Sequence, residues 1–273
     1  AMLQYPDHAE TPAADDTAPI ELIAGDIAGG LVIICDHASN HIPADYAGLG
    51  LSPAEHASHV AYDIGVRGVT VELARLTGAP ALLTRYSRLL IDPNRGEDDP
   101  TLVMRISDGS VVPGNATIGA DEIARRIATY HAPYHQALDD LIGRAIEAGK
   151  PPAVFSVHSF TPQFKGVQRP WQATILWDCD PRLPHPILEA LKREGDLVVG
   201  ENVPYSGKLR GDTLYRHATR RGLAHALIEL RQDVIAEADQ QIEWGGRLAR
   251  ILNEVMRTPG LNEIRHYGSS SAG

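Results

Sequence analysis

The sequence predicts a single α/β domain in which a central mixed β-sheet is flanked by helices on both faces. Short, mostly apolar runs of strand length alternate with segments of helical periodicity, and the run at 31–35 is apolar throughout, as in a strand buried on both faces. A chain of 273 residues with 43% hydrophobic residues can bury one sizeable core. The predicted domain spans residues 21–260, between a mobile N-terminal arm at 1–20 and a flexible C-terminal tail at 261–273.

Six apolar runs predict the strands of the sheet. The run at 31–35 is preceded by Gly29 and Gly30 and is followed by Asp36, which fits a central strand. The other predicted strands are at 81–84, 153–157, 173–177, 197–199 and 224–230.

Four segments between these runs have helical periodicity. The segment at 63–77 is stopped by Gly78, and the segment at 120–148 is closed by Gly149 and two prolines. The other predicted helices are at 186–193 and 233–256. The stretches 96–119 and 201–222 are rich in Gly, Asp, Pro, Arg and Thr, which predicts long loops at the ligand-binding edge.

Charge and cysteine content exclude several classes of protein. The formal net charge is -10, from 35 acidic and 25 basic residues, which argues against nucleic acid or anionic membranes as partners. Cys35 and Cys179 cannot form a secreted disulfide framework. No apolar run approaches the roughly 20 residues that span a bilayer, and the N-terminus lacks a signal-peptide pattern, so we expect a cytoplasmic protein.

Polar residues at the ends of the apolar runs predict a site at one edge of the sheet. In open α/β sheets the ligand binds beyond the carboxyl ends of the strands, where His37, His158 and Glu229 all fall. A hydrolytic zinc ion needs about three protein ligands, and the two histidines are its natural nitrogen ligands. Asn94 and Arg95 follow another apolar run, and a guanidinium can grip a carboxylate at two points. The pattern predicts a metal site facing an anion clamp.

Several motifs resemble those of the N-formylglutamate amidohydrolase family. They are Asp36-His37-Ala38-Ser39-Asn40, Tyr62-Asp63-Ile64-Gly65, Tyr86-Ser87-Arg88, Ile91-Asp92-Pro93-Asn94-Arg95, Val157-His158-Ser159 and Ile228-Glu229-Leu230-Arg231. The resemblance extends from about residue 31 to about residue 254. It implies a phosphorylase/hydrolase-like, zinc-carboxypeptidase-like fold with one zinc ion per chain. It also implies hydrolysis of the amide bond of a small acidic N-acyl amino acid, such as N-formylglutamate in histidine degradation.

The resemblance implies a third metal ligand beside His37 and His158. It points to Asp63, although Asp is also favoured as the N-cap of a helix, and a helix is predicted here. Zinc carboxypeptidases have a Glu three residues after the first His, where this chain has Asn40, a poor zinc ligand. Asp36 could instead orient the ring of a ligating histidine.

The resemblance also implies two catalytic residues. Glu229 matches the family's Glu and is the predicted general base, with an edge-strand ion pair to Arg231 as the alternative. Arg88 is predicted to stabilise the tetrahedral oxyanion, and its alternative role is as a structural partner of Asp92 or Asp98.

The predicted substrate contacts come from three segments. Asn94 and Arg95 are expected to hold the carboxylate of the substrate. Asn202 and Tyr205 lie in a segment that resembles the family's Asn-x-Pro-Tyr loop, and His217 follows in the same long loop. In contrast, His131, Tyr134 and His135 are expected to pack within a helix or lie at its surface.

Two other functions fit the same features. One is a binding or regulatory protein of the same fold that has kept the clamp and lost the base, and the other is a hydrolase of a different N-acyl amino acid. A dinucleotide-dependent oxidoreductase is disfavoured, because Gly25, Gly29 and Gly30 all precede the first predicted strand instead of following it. The oligomeric state does not follow from the sequence.

Overall fold

Seven strands form a mixed sheet at the centre of the fold. A computed structural model describes residues 18–208 and 210–271 of the chain. The seven are β1 (Ile20–Ile23), β2 (Leu31–Cys35), β3 (Ala81–Thr84), β6 (Ala153–Phe160), β9 (Ala173–Leu176), β10 (Val199–Glu201) and β11 (His225–Arg231). Two short hairpins pair β4 (Ile106–Ser107) with β5 (Ser110–Val111), and β7 (Gln163–Phe164) with β8 (Val167–Gln168).

The order of strands in the sheet is β1-β3-β2-β6-β11-β9-β10. Strands β3, β2, β6 and β11 are parallel neighbours, whereas β1 and β9 run antiparallel to β3 and β11, respectively. The carboxyl ends of β2, β6 and β11 therefore meet at one edge of the sheet, where the sequence places its polar residues.

Helices cover both faces of the sheet, so the predicted fold class is confirmed. The α-helices are α1 (Pro53–His56), α2 (Val66–Thr77), α3 (Ala120–Arg126), α4 (Ala132–Glu147), α5 (Pro184–Arg193), α6 (Thr213–His217) and α7 (Ala238–Val255). Helices α2, α5 and α7 bury their apolar side chains against one face, and α4 and α6 pack on the other. Among the described residues, none of the helices combines the length and apolarity needed to cross a bilayer.

Strand β2 illustrates how the sequence builds the core. Its five residues are all buried, and alternate side chains point to opposite faces of the sheet. Ile33 and Cys35 belong to the core beside α2, and Val32 and Ile34 belong to the core beside α4. A continuous apolar run is therefore required here, which is why the sequence predicts this strand correctly.

The structure corrects several predicted boundaries. The helix predicted at 63–77 begins at Val66, and the helix predicted at 233–256 begins at Ala238. A π-helical turn at Ile127–His131 separates α3 from α4 within the predicted helix at 120–148. The strand predicted at 197–199 occupies Val199–Glu201 instead.

The ends and loops of the chain differ from the predictions in other ways. Strand β1 begins at Ile20, at the end of the predicted N-terminal arm. It was not predicted, because an edge strand of four residues is too short to give a clear pattern. Residues 1–17 of that arm, and the last two residues of the predicted tail, lie outside the described residues. The predicted loops at 96–119 and 201–222 contain the β4–β5 hairpin and helix α6, respectively.

Candidate metal centre and active site

Three buried side chains converge at the carboxyl edge of the sheet. His37 follows β2, His158 lies in β6, and Asp63 precedes α2. Asp63 Oδ2 lies 3.4 Å from His37 Nδ1 and 3.0 Å from His158 Nδ1, and one ligand atom from each residue lies within 4.8 Å of the other two. Two imidazole nitrogens and a carboxylate are the donor set of an open zinc site, so these residues fit the expected metal.

The loop of Asp63 is shaped by Gly65. Gly65 has φ of 82° and is the N-cap of α2, with no side-chain capping bond. A Cβ atom there would lie 2.2 Å from the carbonyl oxygen of Ile235, so only glycine fits. Asp63 is not the N-cap; its carboxylate instead accepts a hydrogen bond from the backbone N–H of Ser159 and lies within hydrogen-bond distance of Nδ1 of both histidines.

A second carboxylate orients each histidine. His37 Nε2 lies 2.7 Å from Asp92 Oδ1, and His158 Nε2 lies 3.1 Å from Asp36 Oδ2. Because an ionised carboxylate only accepts hydrogen bonds, each Nε2 carries a proton, and a neutral ring then has its lone pair on Nδ1. This arrangement presents both Nδ1 atoms as metal ligands.

The charges around His158 favour a cation at this point. Burial alone would lower the pKa of His158, but its bonds to Asp36 and Asp63 raise that pKa well above the usual value. Without a metal, a proton on His158 supplies the positive charge. A metal ion would replace that proton, since a ligating histidine must be neutral.

Asp36 orients His158 rather than the adjacent His37. Its other oxygen, Oδ1, accepts hydrogen bonds from the Tyr134 hydroxyl at 2.7 Å and the Thr213 hydroxyl at 3.0 Å. Tyr134 was predicted only as a packing or surface residue, and Thr213 was not singled out. The side-chain amide of Asn40 donates to the carbonyl oxygen of His56 and does not join the metal centre.

Arg88 lies next to the three candidate ligands. Its Nη2 donates to Asp92 Oδ2 at 3.0 Å, and its Nη1 lies 3.5 Å from Asp63 Oδ1. The side chain is 20% exposed, so part of the guanidinium faces solvent. Arg88 is therefore a structural partner of Asp92, one of its two predicted roles, and its role towards an oxyanion stays a prediction.

Glu229 is buried beside His158. Strand β11 lies between β6 and β9, and Glu229 is paired in register with His158 on β6. Burial raises the pKa of Glu229 to about 8, with the charge of Asp63 adding to this effect and those of His158 and Arg88 opposing it. The alternative ion pair is absent, since Arg231 pairs with Asp233 at 2.6 Å and β11 is not an edge strand.

A cavity of about 230 Å³ opens next to the metal centre. Asp63 and Arg88 line one side of it, and Phe160, Phe164 and Tyr205 line the other. Tyr205 is thus the only predicted substrate contact that lines this cavity in the described part of the chain.

The structure places the other predicted substrate contacts elsewhere. Asn94 Oδ1 accepts from the backbone N–H of Thr213, and Arg95 Nη1 donates to the carbonyl oxygen of Asn94. His217 lies behind Asp36, where its Nε2 is 2.9 Å from His135 Nδ1. Asn202 Oδ1 accepts from the backbone N–H groups of Trp177 and Gly207, which closes the loop that carries Tyr205.

Three residues at or near the site were not predicted as functional candidates. Asp92 was expected only as a partner of Arg88, and Thr213 and Arg169 were not expected. The position of Asp92 directly after an apolar run is a signal for a buried carboxylate, whereas the Arg-Pro-Trp context of Arg169 after a short hairpin gives little signal.

Comparison with known proteins gives three findings. The sequence profile of the N-formylglutamate amidohydrolase family matches residues 29–236. The structure of gene product Atu2144 from Agrobacterium tumefaciens is 31% identical, with a TM-score of 0.84 over 89% of this chain and 96% of that chain. The structure of N-formylglutamate amidohydrolase from Ralstonia eutropha JMP134 is 24% identical, with a TM-score of 0.68 over 88% of this chain and 99% of that chain. No curated protein matches this chain significantly.

Proposed function

Because this chain belongs to the N-formylglutamate amidohydrolase family, we propose that it is a zinc-dependent enzyme that removes a small acyl group, such as formyl, from an acidic N-acyl amino acid. The family predicted from the motifs is confirmed, and the chain is an amidohydrolase. The observation that carries the proposal is the convergence of His37, Asp63 and His158 beside Glu229. The cytoplasmic location and the role in histidine degradation remain predictions from the sequence.

His37, Asp63 and His158 would hold one zinc ion. Bound zinc supplies a Lewis acid for the amide carbonyl and lowers the pKa of water towards neutrality. The protein contributes rigidity, because Asp92 and Asp36 fix the two imidazole rings and Ser159 holds Asp63. Such support is what keeps metal ligands in place between turnovers.

Glu229 is the proposed general base. It takes a proton from the attacking water and passes it to the departing nitrogen. A base works best when its pKa lies near the working pH, and burial raises the pKa of Glu229 to about 8. Its Oε2 is buried and has no hydrogen-bond partner among the described residues, so this oxygen is not committed to a structural contact. The retained base favours a catalyst over a binding protein that has lost catalysis.

Arg88 is the proposed stabiliser of the carbonyl oxygen as that oxygen becomes anionic. Its guanidinium is held by Asp92 and lies next to Asp63, so it needs little reorganisation during the reaction. Fixed donors of this kind contribute more in a partly dehydrated site than they would in water.

The other predicted residues are proposed to bind the substrate or to position the residues that bind it. Asn94 and Arg95 would hold a carboxylate of the substrate, after exchanging the internal hydrogen bonds that they now make. Tyr205 would contact the substrate directly at the cavity wall, and Asn202 would position its loop. His217 would act indirectly, by positioning His135 through the hydrogen bond between the two rings.

The experiment that tests the proposed function is a substrate panel. The zinc-loaded protein is assayed with N-formyl and N-acetyl derivatives of glutamate, aspartate, glutamine and leucine, with release of the free amine as the readout. We expect cleavage of an acidic derivative that stops when zinc is removed. If the zinc-loaded protein cleaves none of them, the proposed substrate class is wrong.

A further inference from the structure

Arg169 contacts four residues that line the cavity beside the metal centre, although it does not itself line that cavity. It follows strand β8, and its guanidinium carbon lies 5.8, 5.2 and 5.3 Å from the ring centres of Phe160, Phe164 and Tyr205, respectively. Nη1 donates to the backbone and side-chain oxygens of Thr161, and Nη2 donates to the Tyr205 hydroxyl. All these partners are neutral.

This buried cation has no carboxylate partner. Arg169 is 8% exposed, and no carboxylate of the described residues lies within ion-pair distance of it. Other buried arginines of the chain are paired: Arg126 with Glu122, and Arg182 with Asp180. The charge of Arg169 lowers the pKa of Glu229, so these two side chains interact at longer range without forming an ion pair. A buried charge is costly unless an opposite charge in contact with it compensates it, so the guanidinium can still bind an anion.

The position of Arg169 indicates where that anion lies. Thr161 and the three aromatic residues around Arg169 line the same cavity as Asp63 and Arg88. Phe160 is two residues beyond His158 on the same face of β6, a displacement of about 7 Å along the strand. Arg88 therefore lies next to the candidate metal ligands, whereas Arg169 lies further from them, behind the aromatic residues of the same cavity.

The segment that carries Arg169 is fixed in place. Arg231 Nη1 donates to the carbonyl oxygens of both Arg169 and Pro170 at 3.1 Å, and Asp233 in turn holds Arg231. A guanidinium that is stacked on aromatic rings and anchored through its backbone is already ordered for a ligand, which reduces the entropy lost on binding.

We propose that Arg169, together with the Tyr205 hydroxyl, forms a subsite for the side-chain carboxylate of the acidic substrate. This inference rests on the proposed function, since it names the residue that selects a second carboxylate at the same site. The planar guanidinium suits a carboxylate better than the matching amide, because an amide offers one acceptor oxygen and no charge.

The test compares two substrates of equal shape, N-formyl-L-glutamate and N-formyl-L-glutamine. We expect Arg169→Met to lower kcat/KM for the glutamate derivative by about 10- to 100-fold, mainly through KM, and to change the glutamine derivative little. Tyr205→Phe, at a partly exposed position, should give a smaller loss in the same direction. Arg250→Met, on the outer face of α7, removes an exposed arginine and should keep the wild-type preference.

Two outcomes would overturn the proposal. One is an Arg169→Met protein that keeps the wild-type preference for glutamate. The other is an equal loss on both substrates with a shifted pH profile of kcat, which would mean that Arg169 acts on Glu229 instead of on the substrate. If Arg169→Met does not fold, as judged by circular dichroism, the preference measured in Tyr205→Phe decides.

A binding measurement separates this subsite from the proposed function. L-glutamate and L-glutamine are titrated calorimetrically into wild-type and Arg169→Met protein. A preference for glutamate that disappears in Arg169→Met supports the subsite even if the wild type cleaves no formyl compound. Equal binding of the two amino acids to the wild type counts against the subsite, even if both formyl compounds are cleaved.

Discussion

Asp92 accepts a hydrogen bond from Nε2 of His37 at 2.7 Å, although the two residues are 55 positions apart in the chain. The same carboxylate accepts from Arg88 Nη2 at 3.0 Å and from the backbone N–H of Asn94 at 2.9 Å. Burial would raise the pKa of Asp92, but the charges of His37 and Arg88 hold it well below the usual value. One ionised residue thus orients a candidate metal ligand and the candidate oxyanion stabiliser together.

Asp92→Asn should weaken zinc binding by about 10- to 100-fold, because the amide no longer ensures that His37 presents Nδ1 to the metal. Competition with a chromogenic chelator measures this change. Asp98→Asn, at an exposed position close in sequence, is the matched control and should bind zinc as the wild type does. Equal zinc affinity in Asp92→Asn and wild type would remove Asp92 from the metal centre.

Glu229→Gln should lower kcat by about 100-fold or more, since the amide keeps the shape of the side chain but cannot accept a proton. Zinc content, measured by atomic emission, should not change. Glu189→Gln, at an exposed position of α5, serves as the control for a general loss of charge. A Glu229→Gln enzyme with the wild-type kcat would mean that another group, such as Asp36 or His217, is the base.

The buried pair His135 and His217 predicts a loss of stability in acid. The Pro93 carbonyl accepts from His135 Nε2 at 2.8 Å, so His135 Nδ1 must accept from His217 Nε2 when both rings are neutral. Burial is the main cause that lowers the pKa of His135 to about 2 and that of His217 to about 3. Protonation of His135 at Nδ1 would remove the acceptor for the Nε2–H of His217, and protonation of His217 would place a second positive charge near Arg216 and Arg221.

Acid destabilises the protein because each histidine has a lower pKa in the folded chain than the ordinary value of 6.5 that it has in the unfolded chain. Above pH 6.5, both rings are neutral in the folded and unfolded chains and pH has no effect through them. As the pH falls below that value, only the unfolded chain takes up protons, so stability is lost. At pH 5, protonation of each histidine in the unfolded chain lowers the free energy of unfolding by about 2 kcal/mol.

His217→Gln should therefore lose about 2 kcal/mol less than the wild type between pH 7.5 and pH 5. Urea denaturation of the metal-free proteins at the two pH values measures this difference. His266→Gln, at an exposed position, should follow the wild type. The same loss in His217→Gln and wild type would show that His217 takes up its proton in the folded state.

The parts of the fold that the sequence predicts are those with strong local patterns. Strands β2 and β3 are buried on both faces, so nearly all their residues are apolar and both ends were predicted from the sequence. Strand β6 begins where it was predicted but continues beyond residue 157 to Phe160, through the polar His158 and Ser159. The edge strand β1 and the two hairpins have few residues and partly exposed side chains, so no comparable pattern marks them. The motif resemblance, and not periodicity, pointed to Asp63.

The parts of the site that escaped prediction depend on contacts between distant segments. Asp92 reaches His37 across 55 residues, and Arg169 meets Tyr205 across 36. His217 was expected to face the substrate, yet it packs behind Asp36, because Thr213 at the start of the same helix bonds to Asp36. No local pattern encodes which side of a short helix turns towards the metal centre.

A zinc titration of the metal-free protein, with formate release from N-formyl-L-glutamate as the readout, tests the proposed zinc centre directly. We expect activity to rise with added zinc and to reach its maximum at one zinc ion per chain. His158→Ala should neither bind zinc nor gain activity. Formate release that does not depend on zinc, or a zinc stoichiometry that is unchanged in His158→Ala, would exclude the proposed zinc centre.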